Sequence, residues 1–168
     1  MQYNQEKLYD AGYLRSTAAG LKKAHQEVLK KLKTFKPGYL DAKVHALHYR
    51  IFEEDTDCLK CANCCKSISP AITDKDVHKL SRALLISPGE VVAKYLLTDK
   101  DSDYIFRRQP CPFLGEDNYC TVYENRPKAC REYPHTNRKK FYQLLEITRR
   151  NIGVCPAVFR IVEEIRNE

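Results

Sequence analysis

Apolar residues recur at steps of three and four through the first part of the chain. Leu8, Ala11 and Leu14, then Leu21, Ala24, Val28 and Leu32, keep the period of an amphipathic helix with lysines on its other face. Gly12 and Gly20 weaken that pattern and mark a bend. Lys36-Pro37-Gly38 ends it, because proline cannot continue the hydrogen-bond ladder. A second helix is predicted over residues 39–52, with Leu40, Val44, Leu47 and Ile51 on one face, stopping at the acidic run Glu53-Glu54-Asp55-Thr56-Asp57. Thr73-Asp74-Lys75-Asp76 reads as a helix start, followed by the stripe Val77, Leu80, Ala83 and Leu84. Ser87-Pro88-Gly89-Glu90 repeats the signal, with proline at the first helical position and Glu90 completing a capping box. Val91, Val92, Tyr95 and Leu96 form the core face of that helix.

The period then changes. Tyr104-Ile105-Phe106 and Tyr119-Cys120-Thr121-Val122-Tyr123 are β-type runs separated by the turn residues Gly115-Glu116-Asp117-Asn118, predicting a small hairpin that carries Cys111 and Cys120. Arg126-Pro127 opens a short helix or 3₁₀ turn holding Cys130. Residues 141–150 fit a helix or a strand, and a last helix begins at Cys155-Pro156 with Val158, Ile161, Val162 and Ile165 inward. The expected fold is mainly α with a small β-hairpin, its helices clamping an irregular cysteine-rich centre. Residues 1–52 are expected to be a basic helical segment packed on a domain of residues 53–168, the whole forming one compact domain.

Charge changes the picture little. The formal net charge of +7 is uneven: residues 1–50 carry +6, residues 51–110 carry −1 and residues 111–168 carry +2. A basic balance can serve nucleic acid or an acidic partner, but metal-bound thiolates are anions, and part of the excess offsets them. Nucleic-acid binding is therefore disfavoured, and the basic N-terminal helix is left as a docking surface for a protein partner, or as a packing helix with a solvated face. The first twenty residues contain no apolar run and no stretch approaches a membrane span, so the expected location is the cytoplasm.

The cysteines change it most. Cys58, Cys61, Cys64 and Cys65 fall within eight residues, and Cys111, Cys120, Cys130 and Cys155 follow. A reducing compartment disfavours disulfides, and buried apolar use would not explain such clustering. Cys58-x-x-Cys61 and Cys61-x-x-Cys64 each let two sulfurs reach one ion about 2.3 Å away. Together they resemble the three-thiolate loop of bacterial ferredoxins, whose fourth ligand is a distant Cys-Pro; Cys111-Pro112 and Cys155-Pro156 are two such steps. Cys155 would lie at a helix N-terminus, where the dipole favours a thiolate. Cys65 departs from the ferredoxin pattern. Neighbouring side chains splay, so Cys64 and Cys65 are expected to serve different metals or to bridge two. The acidic run before Cys58 would suppress a lone thiolate nucleophile but not a metal-bound one.

The ordered set Cys58-Leu-Lys-Cys61-Ala-Asn-Cys64-Cys65, Cys111-Pro-Phe-Leu, Cys120-Thr-Val-Tyr-Glu-Asn-Arg126-Pro127-Lys-Ala-Cys130-Arg131-Glu-Tyr133-Pro134 and Cys155-Pro resembles the YkgJ-type cysteine-cluster family over residues 55–160. The resemblance implies a cytosolic domain that binds zinc or iron through these eight cysteines. A related group of flagellin lysine methylases carries the pattern inside a longer enzyme that uses S-adenosylmethionine. This chain has no Gly-rich nucleotide fingerprint, and methylation is not carried over.

Arg126, Arg131, Tyr133 and His135 accompany the cysteines. The arginines either offset the site's negative charge or pair with Glu124 and Glu132, and His135 is the non-cysteine ligand candidate. His45 and His48 share a helix face but lack a third ligand there. The reading is a zinc or iron protein, with an iron–sulfur cluster as one form. The alternatives are an iron–sulfur-dependent redox or protein-modifying enzyme, and a structural zinc or adaptor module.

Overall fold

The periodicity of residues 8–32 becomes two helices rather than one. In the computed structural model, which describes residues 3–168, a 3₁₀ turn at Glu6–Tyr9 leads into α1 (Ala11–Gly20) and α2 (Lys22–Leu32). Asp10 caps α1, accepting the Tyr13 N–H at 2.7 Å. The break falls at Leu21, just after the helix-weakening Gly20. Pro37 opens α3 (Pro37–His48), which runs into a π turn at Tyr49–Glu53. One-turn helices α4 (Cys58–Cys61) and α5 (Asn63–Ser67) hold the cysteine-rich stretch. Then come α6 (Asp74–Leu84), α7 (Pro88–Tyr95), β1 (Leu96–Thr98) and β2 (Tyr104–Phe106). The C-terminal third contains α8 (Lys128–Glu132), α9 (Leu145–Asn151) and α10 (Pro156–Asn167). The fold is mainly helical with one small antiparallel sheet.

The chain divides into two compact units, Met1–Cys61 with Pro134–Glu168, and Ala62–Tyr133. In the first unit, α10 packs on α2, α3 and α9. Its Val158, Phe159, Ile161, Val162 and Ile165 are all buried, as are Val28, Leu29 and Leu32 of α2 and Leu40 and Val44 of α3. Burying side chains of this size stabilises by about 1.5–3 kcal/mol each. Lys22, Lys23, Lys30 and Lys31 of α2 are exposed. Inside the same unit a carboxylate is fully buried: Glu163 accepts from His25 at 2.9 Å and from two Arg166 nitrogens at 2.7 and 2.8 Å. His48 is also buried, between Thr136 (2.6 Å) and Glu53 (3.1 Å). The two histidines of α3 are thus used in packing, with His45 set against the Arg138 carbonyl.

The second unit is built on Ile72, Val77, Leu80, Val91, Leu96, Phe106, Phe113 and Val122. Both predicted capping boxes are present, at Thr73/Asp76 and Ser87/Glu90. The sheet differs from expectation. Tyr104–Phe106 pairs with Leu96–Thr98, not with the segment around Cys120. Leu96 ends α7 and turns extended, so a short loop to β2 makes a local hairpin. The Gly115–Asn118 turn is closed by a single bridge between Leu114 and Cys120, flanked by Gly115 N–H to the Tyr119 carbonyl (2.8 Å) and Thr121 N–H to the Phe113 carbonyl (2.9 Å). A Cβ at Gly115 would lie 2.7 Å from Asp117 Oδ1 and 3.2 Å from the Tyr119 carbonyl oxygen, so a side chain there would push the turn's own acceptor groups aside. Residues 141–150 resolve into a 3₁₀ turn at Phe141–Gln143 and the start of α9, the turn being held by Asp41 of α3 through the Lys140 and Phe141 N–H groups.

Candidate metal centre

The two units divide the cysteines. Cys58, Cys61 and Cys155 lie in the first, and Cys64, Cys65, Cys111, Cys120 and Cys130 in the second. The division cuts the dense motif between Cys61 and Ala62. Ala62 takes the left-handed conformation (φ 47°, ψ 25°), which ends α4 and lets α5 start on a new course.

In the first unit, α4 is a single turn, so Cys58 and Cys61 at i and i+3 share a face. The approach to it is pinned from both chain ends. The Tyr9 hydroxyl donates to the Asp55 carbonyl (3.4 Å) and accepts the Asp57 N–H (3.2 Å). Lys60 lies 5.9 Å from the Tyr9 ring centroid, and Arg160 of α10 pairs with Asp55. Asp55 and Glu53 therefore have cationic or imidazole partners of their own. Cys155 is the N-cap of α10, directly before Pro156. Burial pushes its thiol up to about 12, against the pull of the Val158 and Ala157 N–H groups, and the charges of Cys58 and Cys61 add to the rise. The predicted helix-end effect is present, but burial outweighs it. Those mutual effects also identify the three thiols as neighbours.

In the second unit, Cys64 and Cys65 do not splay. Their sulfurs are 4.0 Å apart. Two thiolates on one tetrahedral ion with bonds of about 2.3 Å would stand about 3.8 Å apart, so the pair already has the spacing of one edge of such a site. The Cys111 N–H donates to the Cys65 carbonyl at 2.8 Å, tying the Cys111-Pro112 segment to α5. Cys111 and Cys120 lean on the apolar core. Cys130 rides on α8, whose first N–H, from Lys128, is accepted by the buried Asp76 at 2.9 Å. The Cys64 thiol holds Cys65 down to about 7 against burial, with Arg126 and Lys66 helping. Burial pushes Cys111 up to about 11 and Cys130 up to about 12, and raises Cys120. The charges of Cys65, Cys111 and Cys120 are all felt at Cys130. Thiols from five points along 67 residues of chain are thus gathered into one region.

Among the described residues, no three or more His, Cys, Asp or Glu side chains are set to hold an ion as they stand. The fit to zinc or iron lies in the donors. Buried thiols that favour the neutral form have no charge pulling their sulfurs onto one point, whereas a cation supplies that pull and deprotonates them. Among the described residues, the buried Asn63 Nδ2 has no hydrogen-bond partner, so a sulfur acceptor at the site would suit it. His135 lies in the first unit in a left-handed conformation (φ 68°).

Three features were not read from the sequence. Asp76 was visible as a helix-start acid, but its second role in capping α8 spans 52 residues and leaves no local signal. The anchoring of residues 55–57 by Tyr9 is equally remote. The seat of Arg126 on Tyr123 had a signal available, the i, i+3 spacing of an aromatic and an arginine.

A mainly helical fold that brings cysteines from distant parts of its chain into each of two compact units defines a thiol-rich protein. The chain belongs to the CxxCxxCC family, described as "Putative zinc- or iron-chelating domain", which it matches over residues 57–148. On that assignment the metal is zinc or iron. The match covers more than half of the chain and seven of its eight cysteines; Cys155 lies outside it. No curated protein and no solved structure matches the chain. No helix among the described residues is long and apolar enough to cross a membrane.

Proposed function

We propose that the protein carries zinc or iron on thiolates drawn from two donor sets. The first set is Cys64, Cys65, Cys111, Cys120 and Cys130; the second is Cys58, Cys61 and Cys155. The observation that carries this reading is the 4.0 Å spacing of the Cys64 and Cys65 sulfurs, with three further thiols brought into their neighbourhood. The reading includes a reducing compartment such as the cytoplasm, where thiols stay available to a metal.

A bound cation would supply Lewis acidity or, with iron, redox chemistry. The chain's own part is to hold the thiols in place, Cys61 and Cys155 buried, Cys64, Cys65, Cys111, Cys120 and Cys130 half-buried and Cys58 exposed. The buried N–H₂ group of Asn63 would find an acceptor in a metal-bound thiolate or in a cluster sulfur alike, so it suits the zinc and the iron–sulfur form equally. A set of three sulfurs leaves a tetrahedral ion one open position, the arrangement of catalytic rather than structural sites. That keeps the enzymatic alternative in view for the Cys58, Cys61 and Cys155 set.

Protein purified without oxygen should contain zinc or iron, with its thiols protected from alkylation until a chelator is added. Acid-labile sulfide and brown colour mark the cluster form; colourless protein with zinc marks the other. The triple variants C111S/C120S/C130S and C58S/C61S/C155S should each lose part of the metal and keep the rest. Metal-free protein with eight freely alkylated thiols would end this reading.

A further inference from the structure

Helix α2 turns its apolar residues inward and its lysines outward. His25, Val28, Leu29 and Leu32 are buried, whereas Lys22, Lys23, Gln26, Lys30 and the C-cap Lys33 are exposed. At about 100° per residue, those five exposed positions fall within an arc of about 100° and form a stripe about 16 Å long. The stripe holds four lysines and no carboxylate; Glu27 lies outside the arc, one turn before Lys31. Among the described residues, none of the four lysine side chains forms an ion pair or a hydrogen bond.

The helices beside α2 leave that charge standing. α9 and α10 both pack on α2, yet none of their carboxylates is paired with an α2 lysine. Glu146 pairs with Arg149 and Arg150, and Glu164 with Arg50. Glu163 turns inward to His25 and Arg166, and Glu168, just after α10, pairs with Lys43 of α3. The apolar face of α2 is already spent in the core of its unit, so the helix has nothing to insert into a lipid surface. The stripe has no arginine to fork onto phosphates and no aromatic ring on which a base could stack. Lysines spaced along one side of a helix do match carboxylates at the same spacing on a second helix, as flanking charges do in paired helices. The Gln26 amide can donate to a carboxylate between them.

We propose that the outer stripe of α2 docks an acidic helical segment of a partner protein, its carboxylates set about one turn apart along Lys22 and Lys23, Gln26, Lys30 and Lys33. The inference stands apart from the thiolate reading and needs no metal.

The test uses the full chain and a fluorescent alanine-based peptide of about 15 or more residues, long enough to be helical, with glutamates one turn apart on one face. A second peptide of the same composition has its glutamates spread around the helix. Polyuridylate and vesicles of phosphatidylglycerol in phosphatidylcholine are the other probes. Wild type should bind the striped peptide more tightly than the scrambled one, and less tightly as salt rises. K22Q/K23Q/K30Q/K33Q should bind it about tenfold more weakly, four exposed ion pairs being of modest strength each. R107Q/R108Q/K139Q/K140Q, which removes four exposed charges elsewhere, should stay within about twofold of wild type. Both variants should melt with wild type, and if the first does not, K23Q and K30Q singly should each weaken binding about twofold. No binding of the striped peptide, equal binding of both peptides, or equal losses in the two fourfold variants would overturn the inference. RNA or vesicles held more tightly than the striped peptide, with that binding lost in the α2 variant, would overturn it in favour of a phosphate-bearing surface.

Discussion

Asp76 shows how one side chain can organise a site it never touches. It is 2 % exposed, and its Oδ2 accepts from the Thr73 N–H (3.1 Å) and hydroxyl (2.6 Å) while Oδ1 accepts the Lys128 N–H (2.9 Å). Burial alone would raise its pKa. The hydrogen bonds from Thr73 and Lys128 outweigh burial, and the carboxyl is held below its usual range. Its stabilisation is therefore complete above the ordinary carboxylate pKa and is lost as pH falls through the depressed native value. Asp76→Ala should cost about 2–4 kcal/mol in urea unfolding of the metal-free protein at neutral pH, since it removes the acceptor that the Thr73 and Lys128 N–H groups use at two helix starts. Asp76→Asn should cost less, though its NH₂ would face the Thr73 N–H. The loss in Asp76→Ala should narrow as the pH is lowered toward 3. Unfolding curves that superimpose on wild type at pH 7 would show that the caps carry no stability.

At the scale of elements, the local signals were legible and the distant ones were not. Helix starts at Thr73, Ser87 and Pro156 follow from residues within one turn, and each lies where the sequence puts it. So does the break beside Gly20. The strand partner of Tyr104–Phe106 was misread because Leu96 keeps helical spacing with Val92, yet its backbone turns extended and pairs with Phe106. Periodicity cannot distinguish the last turn of a short helix from the first residue of a strand. The π turn at Tyr49–Glu53 was also invisible. There the helix that began at Pro37 widens to the Glu54 N–H to Tyr49 carbonyl bond (3.2 Å) just where His48 is tied to both Thr136 and Glu53. As for the candidate site, the cysteines were legible as donors and their sharing between the units was not. Spacing in a chain says which sulfurs can meet; the break at Ala62 marks where the cysteine-rich stretch passes from one unit to the other.

At the scale of the whole molecule, the proposed thiolate sites would set metal and protons in competition for the same sulfurs. Without metal, Cys111, Cys130 and Cys155 are held as neutral thiols by burial, at about 11, 12 and 12. Each must lose its proton to bind, so loading releases protons and affinity falls as pH falls. Zinc-loaded protein titrated from pH 8 to pH 5 in the presence of a metal-sensing dye should release its ion progressively, and thermal stability should fall with it. Metal retained unchanged at pH 5 would show that ligands other than these thiols hold it.

Ala62 has a consequence of a different kind. Cys-x-x-Cys-x-x-Cys-Cys looks like a single word, but the backbone reads it as two, and residue 62 is the space between them. The left-handed conformation there costs an ordinary L-residue about 1–2 kcal/mol. Gly or Asn at this position should therefore be welcome, while Val or Ile should run the two words together and scramble their ligands without touching a single cysteine. Comparing metal content and melting temperature for Ala62→Gly and Ala62→Val would show whether the spelling of this motif includes its one silent letter.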